Sequence, residues 1–275
     1  MNLKTIPVSV IIPCYNCEET IERALHSVYR QTCIPSETII VNDASELESR
    51  QAIVKILASY EKKLKNLRVV HLSRQSGPAI ARNVGWQASR QTYIAFLDAD
   101  DAWHPQKLEI QYKWMRSHPN FCLCGHPSVW LQSNHGFPDL PVHYSCSRIT
   151  AIRQLIANRF HTRTVMIKRN IGLRFKQGKH HSEDYLLWLE IIFSGGDAAY
   201  LHVPLAYTYK PQYGSGGLSG DLWKMERGEL DTYLQIYRKG HISLIFLFFL
   251  ISLSGLKFMR RLLLTYYRGL PIISI

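Results

Sequence analysis

Two hydrophobic periodicities alternate along the first hundred residues. Short runs rich in β-branched residues, typical of buried strands, are separated by stretches with apolar residues every three or four positions, typical of helices. This alternation predicts an α/β fold with a mostly parallel central sheet flanked by helices. The predicted strands are Val8–Pro13, Thr38–Val41, Leu67–Leu72 and Tyr93–Leu97, and the predicted helices start with a cap at Asn16 or Cys17, near Gln51 and at Gly77-Pro78.

Acidic residues follow two of these strands. Asp43 comes after the second strand, and Asp98, Asp100 and Asp101 come after the fourth. Ligands bind outside the carboxyl ends of the strands in such sheets, and clustered carboxylates suit a divalent cation shared with substrate phosphates. The alternative is an acidic turn in which Asp100 or Asp101 caps the next helix.

The second half of the chain has a mixed pattern. Thr164–Ile167 predicts a strand, and Ser182 is placed to cap a helix with Glu183 and Asp184 in its first turn. Acids in a first turn are favoured by the helix dipole. From this pattern alone, Glu183 and Asp184 are therefore explained as ordinary residues of a helix start, without a catalytic role. Gly195 marks the end of this helix.

The C-terminal part is predicted to be a separate unit, with residues 1–220 as the α/β domain and 221–275 as a helical tail. His241–Leu256 carries no formal charge and is shorter than the roughly 20 residues that a spanning helix needs. We expect a helix lying in a membrane interface, with basic residues toward anionic headgroups. A buried core helix and a single span are the alternatives. The basic residues are Lys257, Arg260, Arg261 and Arg268.

Charge indicates polyanionic partners. The 275 residues include 33 Lys and Arg against 21 Asp and Glu, a formal net charge of +12. No basic tract is interleaved with aromatic residues, and no zinc-finger spacing is present, so we expect no nucleic-acid partner. Anionic lipid and phosphorylated substrates remain.

The cysteines indicate a reducing compartment. Cys14-x-x-Cys17 has no second pair of this spacing, and the other cysteines are scattered, so we expect reduced thiols in a cytosolic protein. We expect no cleavable signal peptide, because the first residues lead directly into a predicted strand. The active part is therefore expected in the cytoplasm.

Taken together, five segments of the chain resemble family 2 glycosyltransferases with the GT-A fold. They follow the family's order over most of residues 7–210. The resemblance raises the metal-site interpretation above the acidic turn. The segments are VSVIIPCYN (8–16), VNDAS (41–45), GPAIARNVG (77–85), FLDADDAW (96–103) and SEDYLLW (182–188).

The resemblance implies a nucleotide-sugar site. Asp98 and Asp100 resemble the family's DXD motif, which binds Mn²⁺ or Mg²⁺ on the donor diphosphate, with Asp98 also toward the ribose or sugar. Asp43 matches the acid that receives the nucleobase, although on local pattern it would cap the following helix. The remaining donor-site residues implied are Pro13 and Tyr15, which pack against the base, and Arg82, which lines the donor pocket or else lies on a solvated helix face.

The resemblance also implies a mechanism. Asp184 resembles the catalytic base, which takes a proton from the acceptor hydroxyl during inverting attack, and Glu183 orients the site or the acceptor. The processivity motif Q-x-x-R-W is missing, so we expect one sugar to be transferred per visit. A Gly- and Ser-rich stretch, 214–219, resembles a flexible loop that closes over the donor.

The expected reaction is transfer of one hexose, glucose or galactose, from a UDP-sugar to a lipid-linked saccharide, GlcNAc- or GalNAc-diphosphate-polyprenol. Such an acceptor belongs to O-antigen, lipopolysaccharide or capsule synthesis on the cytoplasmic side of a bacterial inner membrane. Three alternatives stay open: transfer to polyprenyl phosphate, a non-catalytic nucleotide-sugar-binding membrane protein, and a nucleotidyltransferase, although the last lacks a glycine-rich loop after the first strand.

Overall fold

The computed structural model describes residues 4–131, 137–209 and 221–269. Within these ranges the strands are β1 (Lys4–Cys14), β2 (Cys33–Asn42), β3 (Leu67–His71), β4 (Tyr93–Phe96), β5 (Asp101–Trp103), β6 (Phe121–Gly125), β7 (Ser128–Trp130), β8 (Cys146–Arg148), β9 (Met166–Lys168), β10 (Asp197–Leu201) and β11 (Ala206–Thr208). The helices are α1 (Ile21–Tyr29), α2 (Leu47–Ala58), α3 (Pro78–Ala88), α4 (Lys107–Ser117), α5 (Ala151–Ile156), α6 (Glu183–Phe193), α7 (Leu222–Arg238) and α8 (Leu244–Gly269).

The central sheet has the strand order β3-β2-β1-β4-β9-β6-β10-β8. Strands β3, β2, β1 and β4 run parallel to one another, as do β6 and β10, whereas β9 runs antiparallel to β4 and β6, and β8 runs antiparallel to β10. A smaller sheet has the order β5-β11-β7. The predicted mostly parallel α/β fold is confirmed.

Helices cover both faces of this sheet. Val10 and Ile12 of β1 pack in one apolar cluster with Leu25 of α1, whereas Ile11 packs in a second cluster with Trp86 of α3. Successive side chains of a strand point to opposite faces. The continuous apolar runs in the sequence therefore correspond to strands that are buried on both sides.

A glycine sets the distance between α3 and the sheet. A Cβ at Gly85 would lie 2.4 Å from Cγ2 of Ile11 and 3.1 Å from Cγ2 of Val41. We expect Gly85→Ala to lower the free energy of unfolding by about 1–3 kcal/mol, because the sheet must shift to admit the methyl group. Urea denaturation followed by circular dichroism measures this change.

Gly255→Ala is the matched control, since Gly255 is also a helical glycine and its Cβ would meet nothing within 4 Å. Its free energy of unfolding should stay unchanged or rise by up to about 1 kcal/mol. Equal losses in the two variants would contradict the close packing at α3.

The predicted starts of the first two helices are wrong. α1 begins at Ile21 with Thr20 as its N-cap residue, and α2 begins at Leu47 rather than near Gln51. Asn16 has a left-handed backbone, φ 44°, and its side-chain oxygen accepts the backbone N–H of the residue that caps α2. Asn16 therefore joins two loops instead of starting α1, and Cys17 lies in the turn before the helix.

The expectation of reduced thiols is wrong for one pair. Cys14 and Cys17 form a disulfide with their Cα atoms 5.8 Å apart. The turn that follows β1 brings the two side chains together. The other four cysteines are free thiols, as expected: Cys33, Cys122, Cys124 and Cys146.

The acidic stretch does not cap the next helix, so the alternative interpretation is wrong. Asp101 is the first residue of β5, and α4 begins after Gln106, which makes no side-chain capping bond. Ser182 is the N-cap residue of α6, as predicted, but its backbone is left-handed, φ 57°, and its side chain makes no capping hydrogen bond. The predicted strand 164–167 is shorter, since a 3-10 turn, Thr162–Thr164, precedes β9.

In the C-terminal part, α7 packs on α6 and α8 packs on α7. Lys257 forms an ion pair with Glu229, and Arg261 pairs with Glu226 and Glu229. The expectation that Lys257 and Arg261 face headgroups is therefore wrong, because these two positions, four residues apart, lie on the side of α8 that contacts α7. Arg260 is exposed.

The predicted boundary after residue 220 and the loop 214–219 fall outside the described residues, as does the side chain of Arg268. None of the helices in the described ranges combines the length and apolarity needed to cross a bilayer.

Candidate functional site

The predicted site residues gather at the carboxyl edge of β1, β2 and β4. Pro13 and Tyr15 lie at the end of β1, Asp43 directly follows β2, and Asp98 closely follows β4. Tyr15 is exposed, whereas Asp43 is buried. Since β1 pairs in parallel with both neighbours, the ends of all three strands meet at one rim, as the sequence predicted.

Asp43 ties the end of β2 to the start of α3. One carboxylate oxygen accepts the backbone N–H of Ser76 and the other accepts that of Gly77, both at 2.7 Å. Gly77 has φ 88°, a conformation that favours glycine. Asp43 is not the cap of α2, which begins after Glu46. Its contact with a nucleobase stays a prediction.

Arg82 lies at the centre of the site. It is buried, and its two terminal nitrogens bind different carboxylates: Nη2 lies 2.7 Å from Oδ1 of Asp98, and Nη1 lies 2.8 Å from Oε1 of Glu183. The alternative of a solvated helix face is wrong. Burial opposes the charge of Arg82, but the two carboxylates raise its pKa above the usual value. Arg82 therefore joins the acidic stretch after β4 to the start of α6.

The acidic stretch after β4 contains three carboxylates close together, those of Asp98, Asp100 and Asp101. Burial tends to raise the pKa of Asp98, but the charge and hydrogen bond of Arg82 hold that pKa below its usual value. Burial and the charges of Asp98 and Asp100 raise the pKa of Asp101 to about 7, against the opposing charge of Arg163. Arg82 and Arg163 therefore each pair with one aspartate of this stretch.

This donor chemistry fits a divalent metal. Carboxylate oxygens are the ligands that Mg²⁺ and Mn²⁺ prefer, and Asp98 and Asp100 carry such oxygens directly after β4. Among the described residues, no group of three or more His, Cys, Asp or Glu side chains is arranged to hold a metal ion.

Asp184 is held by hydrogen bonds to both carboxylate oxygens. Oδ2 accepts from the hydroxyl of Thr162 at 3.2 Å, and Oδ1 accepts from the backbone N–H of Tyr185 at 2.7 Å. Burial and the nearby charge of Glu183 raise the pKa of Asp184 to about 7, although Arg82 opposes the shift. A partly buried carboxyl with such a pKa is suited to accepting and releasing a proton near neutral pH.

The sequence did not single out the segment before β9. Thr162 contacts Asp184, and Arg163 reaches Asp101, with Nη1 3.3 Å from Oδ2. The adjacent His161 has its pKa lowered to about 4 by burial and by Arg163. One short turn therefore contacts both the acidic stretch and Asp184. Three consecutive polar residues before a predicted strand were the only signal.

Helix α7 packs against the loop that leads into α6. The Lys179 ammonium binds the carbonyl of Gly228 at 2.8 Å and the carboxylate of Asp231 at 2.6 Å. A Cβ at Gly228 would lie 2.7 Å from the carbonyl oxygen of His181. The loop that leads into Glu183 and Asp184 therefore rests directly on α7.

The chain is similar to known proteins over most of its length. Residues 9–178 match the family model described as glycosyl transferase family 2. The putative teichuronic acid biosynthesis glycosyltransferase TuaG of Bacillus subtilis is 32% identical over 235 residues, which cover 84% of this chain and 88% of that protein. The Escherichia coli UDP-Glc:alpha-D-GlcNAc-diphosphoundecaprenol beta-1,3-glucosyltransferase WfgD is 31% identical over 186 residues, covering 67% of this chain and 69% of that protein.

Solved structures share the fold. The crystal structure of S. aureus TarS 1–349 in complex with UDP-GlcNAc aligns with a TM-score of 0.66 at 20% identity, covering 84% of this chain and 66% of that chain. The mannosyltransferase PcManGT from Pyrobaculum calidifontis, in complex with GDP-Man and Mn²⁺, aligns with a TM-score of 0.62 at 18% identity, covering 84% of this chain and 64% of that one. With the family match over residues 9–178 and the identity to TuaG, the chain belongs to glycosyltransferase family 2.

Proposed function

We propose that the protein transfers one hexose from a UDP-sugar to a saccharide carried on a polyprenyl diphosphate, with inversion at the anomeric carbon. The observation that carries this proposal is the Arg82 bridge, which brings Asp98 and Glu183 to one guanidinium next to Asp184. A site for the donor diphosphate and a base for the acceptor thereby lie side by side. The names of WfgD and a second Escherichia coli relative, WfaP, support the acceptor class.

On the donor side, Asp98 and Asp100 would hold a divalent cation together with the donor diphosphate, and that cation would stabilise negative charge on the leaving nucleoside diphosphate. Asp43 keeps lone pairs beyond its two backbone bonds, because each carboxylate oxygen can accept twice. It is therefore able to accept the N3–H of uracil while Pro13 and Tyr15 flank the base.

On the acceptor side, Asp184 takes the proton of the attacking hydroxyl. A bond forms between the acceptor oxygen and the anomeric carbon, the bond from that carbon to the diphosphate oxygen breaks, and UDP leaves. Thr162 and the backbone of Tyr185 fix the Asp184 carboxylate, and Glu183, held by Arg82, keeps that side of the site in place.

We propose that this reaction occurs at the cytoplasmic side of a bacterial inner membrane, where the acceptor is anchored by its lipid, in the assembly of O-antigen, lipopolysaccharide or capsule. Transfer to polyprenyl phosphate is the second candidate function. That acceptor is already anionic and so depends less on a base, but the raised pKa of Asp184 favours an acceptor hydroxyl that must lose its proton.

The test is direct. Purified protein, Mn²⁺, a panel of UDP-sugars and a synthetic GlcNAc-diphosphate-lipid are incubated together, and products are identified by mass spectrometry. A product heavier by one hexose is expected with one donor of the panel. UDP binding without that product, followed by product on polyprenyl phosphate, would favour the second candidate, and failure to bind UDP would overturn the proposal.

The pH dependence of the reaction reports on Asp184. Because the pKa of its carboxyl is raised to about 7 and only the ionised form accepts a proton, we expect kcat/KM to rise with pH up to about 7 and to level above it. Initial rates between pH 5.5 and 9 at saturating Mn²⁺ measure this limb.

Thr162 supplies the control for this assignment. Its hydroxyl stabilises the ionised carboxylate, so Thr162→Val should move the limb to higher pH, whereas Thr162→Ser should leave it in place. A limb that stays fixed in Thr162→Val would mean that another group controls the profile.

A further inference from the structure

The outward side of α8 is mostly apolar, interrupted by the exposed Ser252. Ile245, Phe248 and Leu256 are 84%, 62% and 70% exposed. Their spacing follows the helical repeat, so that they lie on one face. This face, called the outer stripe below, comprises Ile245, Phe248, Phe249, Leu256, Met259 and Leu263, all exposed.

The charges around the outer stripe are distributed unequally. Glu226 and Glu229 of α7 are turned into the contact with α8, where Arg261 and Lys257 neutralise them. Residues 244–269 contain no acidic residue, and Arg260 is exposed next to Met259. The surface that the outer stripe presents is therefore apolar with a positive charge beside it.

We propose that the outer stripe docks on a lipid bilayer with anionic headgroups, with α8 parallel to the membrane plane. From Ile245 to Leu263 the stripe is about 27 Å long at 1.5 Å per residue, a single convex ridge that fits a planar apolar layer. Arg260 complements anionic headgroups.

This arrangement differs from docking by a cluster of basic residues. Lys257 and Arg261 are engaged by α7, so apolar insertion supplies most of the binding and Arg260 supplies a preference among lipids. We therefore expect binding to persist at a salt concentration of about 0.5 M, where surface charges are strongly screened.

Docking through α8 would also bring the site to its acceptor, a step that rests on the proposed function. α8 packs on α7, and α7 contacts the loop before Asp184 at Gly228. The loop that precedes the base is thus separated from the docking helix by one helix, α7.

The experiment is flotation of the full chain with vesicles of phosphatidylethanolamine and phosphatidylglycerol, compared with vesicles of phosphatidylcholine alone. The test variant is Ile245→Ser/Phe248→Ser/Leu256→Ser. The matched control is Leu47→Ser/Val54→Ser, which removes exposed apolar residues from α2 on the other part of the fold. UDP binding, measured by calorimetry, reports whether each variant keeps its fold and its donor site.

Wild type and control should float with the anionic vesicles, and the triple variant should bind at least about tenfold more weakly with unchanged UDP binding. Arg260→Gln should lower the preference for anionic vesicles.

The proposal is overturned if wild type stays in the aqueous fraction, or if the triple variant floats equally well. If wild type bound no vesicles but formed a dimer by light scattering, and the triple variant was a monomer, the outer stripe would be an interface with a second copy of the chain. If wild type bound the vesicles but transferred no hexose, that result would count against the proposed function and not against membrane docking.

Discussion

Asp184→Asn is expected to lower kcat by about 10³-fold or more while donor binding persists. The amide is almost the same size as the carboxyl: its oxygen can still accept the backbone N–H of Tyr185, and its NH2 can donate to the Thr162 hydroxyl. It cannot take the proton of the acceptor hydroxyl. The substitution also removes a charge that burial and Glu183 disfavour, so the variant should unfold at the same temperature as wild type or higher. Single-turnover kinetics and UDP calorimetry measure the two quantities.

Asp197→Asn is the matched control. Asp197 starts β10 and pairs with the exposed Arg148 on the surface, so its removal changes net charge equally without touching the rim. Activity near wild type is expected there. If Asp184→Asn lost only a few-fold in kcat, the acceptor would be one that needs no base, as polyprenyl phosphate is, and the second candidate function would take precedence.

The elements of the fold that the sequence predicted best are those with strong local patterns. β1 and β2 appear as unbroken apolar runs because helices cover both faces of the sheet. For α6, the sequence alone indicated where the helix starts and that a glycine follows its end. Helix starts were predicted less well. Asn16 is a good capping residue by type, but its side chain binds the start of α2, thirty residues away, and no local pattern reports such a contact.

The same limit explains what was missed in the site. Asp98 and Asp184 could be placed by strand ends and by family resemblance, whereas the link between them is a contact between distant parts of the chain. Arg82 reaches Glu183 across 101 positions, and Thr162 reaches Asp184 from a turn without a motif. These links depend on the order of strands in the sheet, where β9 lies beside β4.

The basic residues after the apolar C-terminal segment show a third kind of limit. Composition identified a cationic helix, but which side each charge takes depends on the partner helix. Lys257 and Arg261 lie four residues apart and meet the acids of α7, whereas Arg260 lies beside them in sequence and faces outward. Net charge alone overstated what this helix offers to a membrane.

Arg82→Met is expected to destabilise the protein and to remove its activity together. Asp98 and Glu183 would each lose a partner at 2.7 and 2.8 Å, and an unpaired buried charge typically costs about 3–5 kcal/mol in the free energy of unfolding. Arg82→Lys should not restore kcat/KM, since one ammonium on a flexible stem does not reproduce the planar fork that spans two carboxylates. Urea denaturation and initial rates measure these effects, with Arg148→Gln, which breaks only the exposed pair with Asp197, expected to cost at most about 1 kcal/mol.

A second substitution separates the structural contribution of Arg82 from its contribution to the site. In Arg82→Met/Glu183→Gln one of the two unpaired charges is neutralised, so part of the lost stability should return relative to Arg82→Met. Activity should not return with it, because Asp98 still lacks the guanidinium that holds it at the acidic stretch. If stability and activity recovered in parallel, Arg82 would act only by keeping the fold intact. If neither recovered, the Glu183 carboxylate would not be the charge that Arg82 balances.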